Sequence, residues 1–293
     1  MSDRILSVAL DPQDAARSGL HRTILASLPA RFRAASGTWP AADVVLISGD
    51  QPRWQQRAQD AIASGVPAIV LSGFAAMTPE AVTQVASGAA DAGVIAAADL
   101  AYASVRGWAG AVHALAGDLP SCAVLDSIIT APLPAAGTPE AVALRSALVE
   151  QLALLRPLLG ETGRLRVVHT APREYVLAGP QTELAVTLSG ALSDAAGHQL
   201  DLTLVGARRR WHARFAADAL AAPVTISAWD SGGERAWPLA YESGHRSAWL
   251  RLHGAVSQST TRAADLHAAG LCTADQLAAD LAAAQAALSQ ILV

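Results

Sequence analysis

Lysine is absent from this sequence of 293 residues, so all 21 residues counted as lysine or arginine are arginine. The chain therefore cannot form a Schiff base through lysine, use lysine as an acid or base, or complete a Walker-type phosphate loop. Cysteine is scarce as well, because Cys122 and Cys272 are the only two and neither stands in a CxxC motif. This spacing predicts two reduced, buried thiols, with a disulfide between them as the alternative.

Long apolar runs and long basic runs are also missing. Asp91 and Asp99 interrupt the most apolar stretch, 85–105, which leaves no uninterrupted run of the roughly 20 residues that span a membrane. The first ten residues hold one arginine and no long apolar core, so they are not a secretory signal, and we expect a cytoplasmic protein without a membrane partner. The net charge is −4 and the longest basic run is Arg208-Arg209-Arg210, which argues against nucleic acid as a partner.

Motifs for metal binding and for nucleophilic catalysis are not found. The eight histidines show no HExxH or other ligand spacing, so we expect no metal. No Gly-x-Ser-x-Gly nucleophile elbow occurs either. Hydrophobic residues nevertheless make up 52% of the chain, which is typical of a compact globular protein.

Residues 42–102 contain the clearest pattern in the chain. Short apolar runs alternate with helix-length segments there, which predicts βαβ units around a buried parallel sheet. Thr78 and Pro79 are typical of a helix N-cap and first helical position. Because the carboxyl ends of parallel strands line the ligand crevice of an open α/β sheet, the polar residues at these ends predict a ligand site. The candidates are Asp11, Ser48, Asp50, Ser72 and Asp99.

Trp54 is a further candidate for this cleft. It follows Asp50 and Arg53, and an aromatic face beside a carboxylate and a guanidinium suits a sugar or a nucleoside. The alternative is structural, with Asp50 capping a helix over 51–64 and Trp54 packed on the sheet.

The pattern changes after residue 120, which predicts domains 1–120 and 121–293. A leucine stripe predicts a long helix over 139–159. Period-two runs from 165 to 229 then predict an open, mostly antiparallel sheet, with Leu184, Val186 and Leu188 on its buried face. Closing helices are expected over about 246–256 and 274–292. The fold class is therefore α/β: an N-terminal Rossmann-like parallel sheet and a C-terminal α+β domain.

The fingerprint of a dinucleotide site is missing from the first βα turn. That turn, 11–19, has one glycine, Gly19, and carries Asp11 and Asp14 where a pyrophosphate needs bare amides. The second strand ends at 35–37 without an acidic residue for a ribose. We expect no cofactor, with NAD(P) binding as the alternative.

The order of these elements resembles the glucose–fructose oxidoreductase/inositol dehydrogenase (Gfo/Idh/MocA) family. The strings at 43–47 (DVVLI) and 68–71 (AIVL) look like two of its parallel strands, and 77–81 (MTPEA) is similar to its next helix start. Residues 19–25 (GLHRTIL) resemble the helix after its glycine-rich turn, and 202–211 (LTLVGARRRW) resemble its hairpin. The resemblance implies the fold of a sugar dehydrogenase.

The family's catalytic groups are not kept at the matching positions. The resemblance places its catalytic lysine at Ser72-Gly73-Phe74, its histidine near Glu150 and the partner aspartate near Ala153. In that family the lysine and histidine hold and deprotonate the substrate hydroxyl while hydride leaves for nicotinamide. We therefore expect a degenerate member without that hydride transfer.

Other residues remain as candidates for chemistry. Glu150 or Tyr102 could act as a base, although a solvated helix side is the plainer interpretation of Glu150. His169 and Arg173, with Glu174, could hold a sugar or a carboxylate, and a loop salt bridge is the alternative.

Three functional hypotheses follow. The first is a non-redox relative of the family that binds a small, sugar-like molecule or serves as the non-catalytic partner of an enzyme. The second is an active NAD(P)-dependent sugar or polyol oxidoreductase, or a lyase, with rearranged catalytic residues. The third is a scaffold whose open C-terminal sheet makes a homo-oligomer or binds another protein.

Overall fold

Two compact units make up the computed structural model, which describes residues 4–35, 39–160, 165–181, 183–195, 197–216, 223–259, 263–268 and 270–289. The first unit is Met1–Leu100 with His245–Ala279, and the second is Ala101–Gly244 with Asp280–Val293. The predicted domains, 1–120 and 121–293, differ from this division in two ways. The first unit ends 20 residues earlier, and the chain returns to it near the C-terminus, which a single linear boundary does not describe.

The first unit is built around a six-stranded sheet. Five of its strands are parallel, and a short sixth strand pairs antiparallel at one edge, in the order β14-β5-β4-β3-β1-β2. The strands are β1 (Leu6–Ala9), β2 (Phe32–Ala34), β3 (Val44–Ser48), β4 (Ala68–Ser72), β5 (Ile95–Asp99) and β14 (Cys272–Thr273). All residues of β1, β3, β4 and β5 are buried, which explains why these strands are continuous apolar runs in the sequence.

Eight α-helices accompany the strands within the described residues: α1 (Ala15–Ala26), α2 (Trp54–Ala63), α3 (Pro79–Asp91), α4 (Arg106–Asp118), α5 (Glu140–Leu159), α6 (Gly244–Ser257), α7 (Ala263–Ala268) and α8 (Ala274–Ser289). The predicted start of α3 is confirmed, because the Thr78 hydroxyl accepts a hydrogen bond from Ala81 N and Pro79 is the first helical residue. Helix α2 begins three residues later than predicted, after Arg53 in a left-handed conformation. No helix among the described residues has both the length and the apolar character to cross a bilayer.

The second unit contains an eight-stranded sheet in the order β13-β12-β11-β10-β6-β9-β8-β7. Its strands are β6 (Cys122–Ala131), β7 (Arg166–Ala171), β8 (Glu174–Gln181), β9 (Leu184–Leu192), β10 (Gln199–Gly206), β11 (Arg210–Phe215), β12 (Thr225–Asp230) and β13 (Gly233–Ala236). Every pairing is antiparallel except that of β6 with β9. The predicted α/β class with an open, mostly antiparallel second sheet is confirmed.

Helix α5 is hydrogen-bonded to the buried face of this second sheet through a glutamine side chain. Gln151 Nε2 donates to Ser127 O at 3.0 Å, and Tyr175 Oη donates to Gln151 Oε1 at 2.7 Å. Leu184, Val186 and Leu188 of β9 are buried on this face, as predicted.

Three short elements, β13, α7 and β14, were not predicted, because each has too few residues to show a period. Residues 36 and 37 of the expected second-strand end, and 290–292 of the expected last helix, lie outside the described residues. Cys122 and Cys272 are both free and buried, so the expectation of two reduced thiols is confirmed.

Candidate functional site

Five of the predicted cleft residues lie at one end of the first sheet. Asp11 follows β1, Ser48 and Ser72 end β3 and β4, Asp99 ends β5, and Asp50 lies just beyond β3. All are buried except Asp50, which is partly buried. They lie in two hydrogen-bonded networks: an aspartate–arginine cluster (Asp11, Asp14, Arg17, Ser48, Asp50 and Arg57) and a histidine cluster (His21, Ser72, Asp99, His245 and Trp249).

Asp11 is the anchor of the aspartate–arginine cluster and is completely inaccessible to solvent. Its Oδ1 accepts from Gln13 N at 3.0 Å, and its Oδ2 accepts from Ser48 N at 3.0 Å and from Arg57 Nη2 at 2.9 Å. Arg57 also donates to Ser48 O and Pro52 O. A buried carboxylate is tolerated here because a guanidinium and two amides satisfy it.

Asp14 is the N-cap of α1. Its Oδ1 accepts from Arg17 N at 2.9 Å and its Oδ2 accepts from Ser48 Oγ at 2.6 Å. Burial acts to raise the pKa of Asp14, but the hydrogen bonds from Ser48 and from the helix backbone, with the charge of Arg17, hold it below its ordinary value. An ionised carboxylate therefore lies at the positive end of the α1 dipole.

Asp50 lies beside Gly73, where the sequence resemblance places the family's lysine. Its Oδ2 pairs with Arg17 Nη2 at 2.7 Å, and its Oδ1 accepts from Ala75 N at 2.9 Å. Gly73 has a φ of 74°, and a Cβ added there would overlap the Asp50 carboxylate. Any side chain at position 73 would therefore be opposed by both the backbone conformation and this carboxylate.

The helix-capping alternative for Asp50 is wrong, because α2 starts after Arg53 and that cap makes no side-chain hydrogen bond. The structural alternative for Trp54 is confirmed. Trp54 is 4% exposed and its Nε1 donates to Ala76 O at 3.2 Å, so the face of its ring is not presented to a ligand.

The histidine cluster joins α1, β4, β5 and α6. His245 Nδ1 lies 2.9 Å from both Asp99 oxygens, and Ser72 Oγ donates to Asp99 Oδ2 at 2.9 Å. His21 Nε2 lies 3.2 Å from Ser72 Oγ and 3.3 Å from Asp99 Oδ2. Trp249 Nε1 completes the network with a 3.0 Å hydrogen bond to His21 Nδ1.

The indole of Trp249 fixes the tautomer of His21. An indole N–H is only a donor, so His21 Nδ1 accepts and the ring proton lies on Nε2, facing Ser72 and Asp99. A Ser–His–Asp triad requires the histidine nitrogen beside the serine to accept its proton. His21 Nε2 is instead a donor, and this network is not arranged to activate Ser72 as a nucleophile.

Asp99 is ionised within this network. Burial opposes the charged form, but His245 and His21 lower the pKa of Asp99 well below its ordinary value. Its carboxylate also lies within the electrostatic reach of Arg17, which connects the two clusters.

Glu150 and Tyr102 are both buried in the second unit. Glu150 is 7% exposed, so its expected position on a solvated helix side is wrong, and its oxygens accept from the amides of Ala101 and Tyr102 at 3.0 and 3.3 Å. The Tyr102 ring is buried against His198 and Phe215. Both side chains have structural contacts, and a catalytic role for either stays a prediction.

His169 and Arg173 belong to the second unit and lie on its surface. His169 Nε2 pairs with Glu174 Oε1 at 2.9 Å, and Arg173 Nε pairs with Glu140 Oε1 at 2.7 Å. The side chains of His169 and Glu174 are each more than half exposed, and they pair between strands β7 and β8 rather than within a loop. An exposed pair of this kind contributes little to stability.

Sequence reasoning missed Arg17, Arg57, His21 and His245. The clearest available signal was a polar residue on the buried face of α1, where His21 shares the stripe of Ser18, Ile24 and Leu25. The α6 residues of this cluster, His245 and Trp249, lie far from His21 in the sequence, and no local pattern connects them to it.

The residues at the start of α1 do not fit a dinucleotide. A diphosphate binds where the first turn offers bare amides and glycine lets the backbone approach. Here the amides of Gln13 and Arg17 are bonded to Asp11 and Asp14, and the carboxylates would repel the phosphates. Metal binding has no support either, because no three His, Cys, Asp or Glu side chains in the described ranges are grouped as ligands.

No protein-family model matches this sequence, and no curated protein matches it. Solved structures match it over nearly the whole chain. UDP-N-acetylglucosamine 3-dehydrogenase GnnA from Acidithiobacillus ferrooxidans is 13% identical, with a TM-score of 0.72 over 97% of this chain and 96% of that one. KijD10, a 3-ketoreductase from Actinomadura kijaniata solved with NADP and TDP-benzene, is 10% identical, with a TM-score of 0.72 over 98% of each chain.

A third structure is the super-repressor mutant of Gal80p from Saccharomyces cerevisiae. It is 8% identical, with a TM-score of 0.76 over 99% of this chain and 97% of that one. These structures have the Gfo/Idh/MocA-type fold, and at these identities the likeness establishes the fold alone. The resemblance seen in the sequence is confirmed at that level.

Proposed function

We propose that this chain, which has the fold of Gfo/Idh/MocA-type oxidoreductases, does not perform NAD(P)-dependent hydride transfer. It acts instead as a binding protein for a small, sugar-like molecule or as the non-catalytic partner of an enzyme. One observation carries the proposal: the Asp50 carboxylate fills the space of any side chain at Gly73, the position at which the sequence resemblance places the family's lysine.

The positions where the resemblance would place the family's histidine and its diphosphate-binding amides also have protein bonding partners. Glu150, near the position of the family histidine, is bonded to two backbone amides. Asp11 and Asp14 are bonded to the amides that would face a diphosphate. Glu150, Asp11 and Asp14 are all buried and hydrogen-bonded within the protein, so none of these positions is left as an empty space.

The comparisons lend this proposal a precedent. The same fold occurs in GnnA, which is named as a dehydrogenase, and in Gal80p, whose matching structure is that of a super-repressor mutant. The fold is therefore compatible with a regulatory or partner role as well as with catalysis. Two free, buried cysteines suit the reducing cytoplasm, where we propose that the protein works.

The uncovered face of the second sheet favours a second role, that of a scaffold. Helix α5 packs on one face of this sheet, and the opposite face exposes Val124 and Ile128 of β6, at 41% and 47%. Val205, the cross-strand partner of Val124, is also exposed. Exposed apolar side chains in adjacent strands suit association with a second copy or with another protein.

Titration of the intrinsic tryptophan fluorescence with NADH and with NADPH tests the main proposal. Seven tryptophans report on the whole chain. We expect no saturable change, because the diphosphate site is closed. Saturable binding at micromolar cofactor would contradict the proposal and favour the active oxidoreductase.

A comparison of the wild type with the Glu150→Gln variant then separates the proposal from rearranged catalysis. If a sugar or polyol substrate is turned over and Glu150→Gln abolishes turnover with the circular dichroism spectrum unchanged, the second hypothesis holds. If no turnover is found in the wild type, Glu150→Gln should affect only stability.

A further inference from the structure

We infer that the first unit supplies its own anion at the N-terminus of α1, and that the Asp14 carboxylate takes the place of a cofactor diphosphate. The inference rests on the proposed absence of NAD(P) use and gives that absence a structural cause. It differs from a mere loss of glycines, because a chain that had only lost its glycines would leave the helix amides available.

The geometry of the first turn is that of an occupied anion site. Asp14 Oδ1 accepts from Arg17 N at 2.9 Å, which is the bond that a phosphate oxygen would otherwise make with a helix amide. Asp11 Oδ1 accepts from Gln13 N at 3.0 Å in the same turn. The negative charge that favours the positive end of a helix dipole is therefore already present and covalently attached.

The Asp14 carboxylate is held in place by hydrogen bonds from the end of β3. Ser48 Oγ donates to Asp14 Oδ2 at 2.6 Å, and Ser48 N donates to Asp11 Oδ2 at 3.0 Å. Arg57 pairs with Asp11 from α2. Because these groups are buried, moving Asp14 aside for a ligand would break several bonds at once.

The charge balance of the cluster also opposes a bound diphosphate. The three carboxylates of Asp11, Asp14 and Asp50 face the two guanidiniums of Arg17 and Arg57, and ionised Asp99 lies close by. A diphosphate would add negative charge to a region that already has more carboxylates than guanidiniums. Coulomb repulsion at these distances is strong in a partly buried site.

Two substitutions of Asp14 in the full chain test the inference. Asp14→Ala removes both the cap and the charge, whereas Asp14→Asn keeps an acceptor for Arg17 N and removes only the charge. Asp91→Ala, at the exposed C-terminal end of α3, is the matched control. The probe is inorganic pyrophosphate at matched ionic strength, and the readout is the midpoint of thermal unfolding.

We expect pyrophosphate to leave the midpoint of the wild type and of Asp91→Ala unchanged. Asp14→Ala should melt about 2–4 °C lower, the usual cost of a lost N-cap in a chain of this size, and pyrophosphate should recover part of that loss. The unfolding midpoint of Asp14→Asn should lie between those of the wild type and Asp14→Ala, and pyrophosphate should raise it by a smaller amount. If Asp14→Ala does not fold, the response of Asp14→Asn alone decides.

Two results would overturn the inference. Stabilisation of the wild type by pyrophosphate would show that the site is open. Failure of both Asp14 variants to gain any response would show that something other than this carboxylate closes it. In the second case the proposed non-redox function would stand, whereas saturable binding of NADH to the wild type would remove both.

Discussion

Asp99 in the first unit and Asp126 in the second are both aspartates on interior strands of a sheet, and they differ in what surrounds them. Asp99 is ionised among Ser72 and two histidines, and its pKa is held well below the ordinary value. The carboxylate of Asp126, on the uncovered face of β6, makes no hydrogen bond or ion pair with another residue of the described chain, and partial burial raises its pKa.

The difference shows which polar groups are available to bind a ligand or a partner. In the first unit the polar groups at the strand ends are bonded to one another, so a ligand would have to displace protein groups. In the second unit Asp126 lies between exposed Val124 and Ile128 and faces Thr187 and Thr203 on the adjacent strands. A partner could offer this carboxylate a bond that the chain itself does not.

The largest effect is expected from removing the guanidinium that balances Asp11. Arg57→Ala should lower the free energy of unfolding by about 3–5 kcal/mol, because it leaves a buried carboxylate without its partner. Urea unfolding followed by circular dichroism measures this. Arg209→Ala, which removes an exposed guanidinium of the second unit that pairs with Asp118 and Asp230, is the control and should change stability little. Equal losses would deny that the first unit depends on its internal ion pairs.

Whether position 73 has room for a side chain can be tested with two glycines. Gly65 and Gly73 have φ values of 77° and 74°, but a Cβ at Gly65 meets nothing whereas one at Gly73 overlaps Asp50. Gly65→Ala should cost about 1–2 kcal/mol for the backbone alone, and Gly73→Ala about 1–3 kcal/mol more for the overlap.

Asp50→Ala provides the internal check on that pair, because it should recover part of the extra cost when it is combined with Gly73→Ala. A Gly73→Ala variant as stable as Gly65→Ala would mean that position 73 has room for a side chain.

The pH dependence of stability should differ in sign between the two aspartates. The folded pKa of Asp99 lies below the unfolded value of about 3.9, so its stabilisation is complete above that pH and is lost as the pH falls through the folded pKa. The folded pKa of Asp126 is raised, so its ionisation costs stability as the pH rises through the unfolded and folded values.

Urea unfolding between acid and neutral pH checks both statements. Asp99→Asn should flatten the acid limb and destabilise the protein at neutral pH, whereas Asp126→Asn should raise stability slightly at neutral pH. Destabilisation by Asp126→Asn would show that this carboxylate has a stabilising contact after all.

The smallest effect on stability is expected on the uncovered sheet face. Ile128→Thr should change the free energy of unfolding by less than about 0.5 kcal/mol, since the side chain is nearly half exposed. Light scattering coupled to size exclusion should nevertheless show weaker self-association if the face joins two copies. A wild-type monomer at all concentrations would remove the homo-oligomer and leave a different partner.

Much of the fold was readable from the sequence because its signals are local. The continuous apolar runs of β3 and β4 predicted strands buried on both faces, and the leucine stripe of α5 gave its bounds to within one residue. The N-cap of α3 was visible in Thr78 and Pro79. Periodicity could not reveal β14, because a two-residue strand has no period.

The site was predicted only in part, for a physical reason. Asp11, Ser48, Ser72 and Asp99 follow from the rule that strand ends converge. His245 lies 146 residues after Asp99, so only the folded chain brings them together. Glu150 was misplaced because its buried bonds to two amides depend on where another segment passes, which helix periodicity alone cannot show.

A crystal structure grown in the presence of NADPH tests the central claim most directly. We expect that Asp14 Oδ1 remains bonded to Arg17 N, that Arg57 remains paired with Asp11, and that no diphosphate lies at the start of α1. A diphosphate bound to the amides of that turn, with Asp14 displaced, would contradict it.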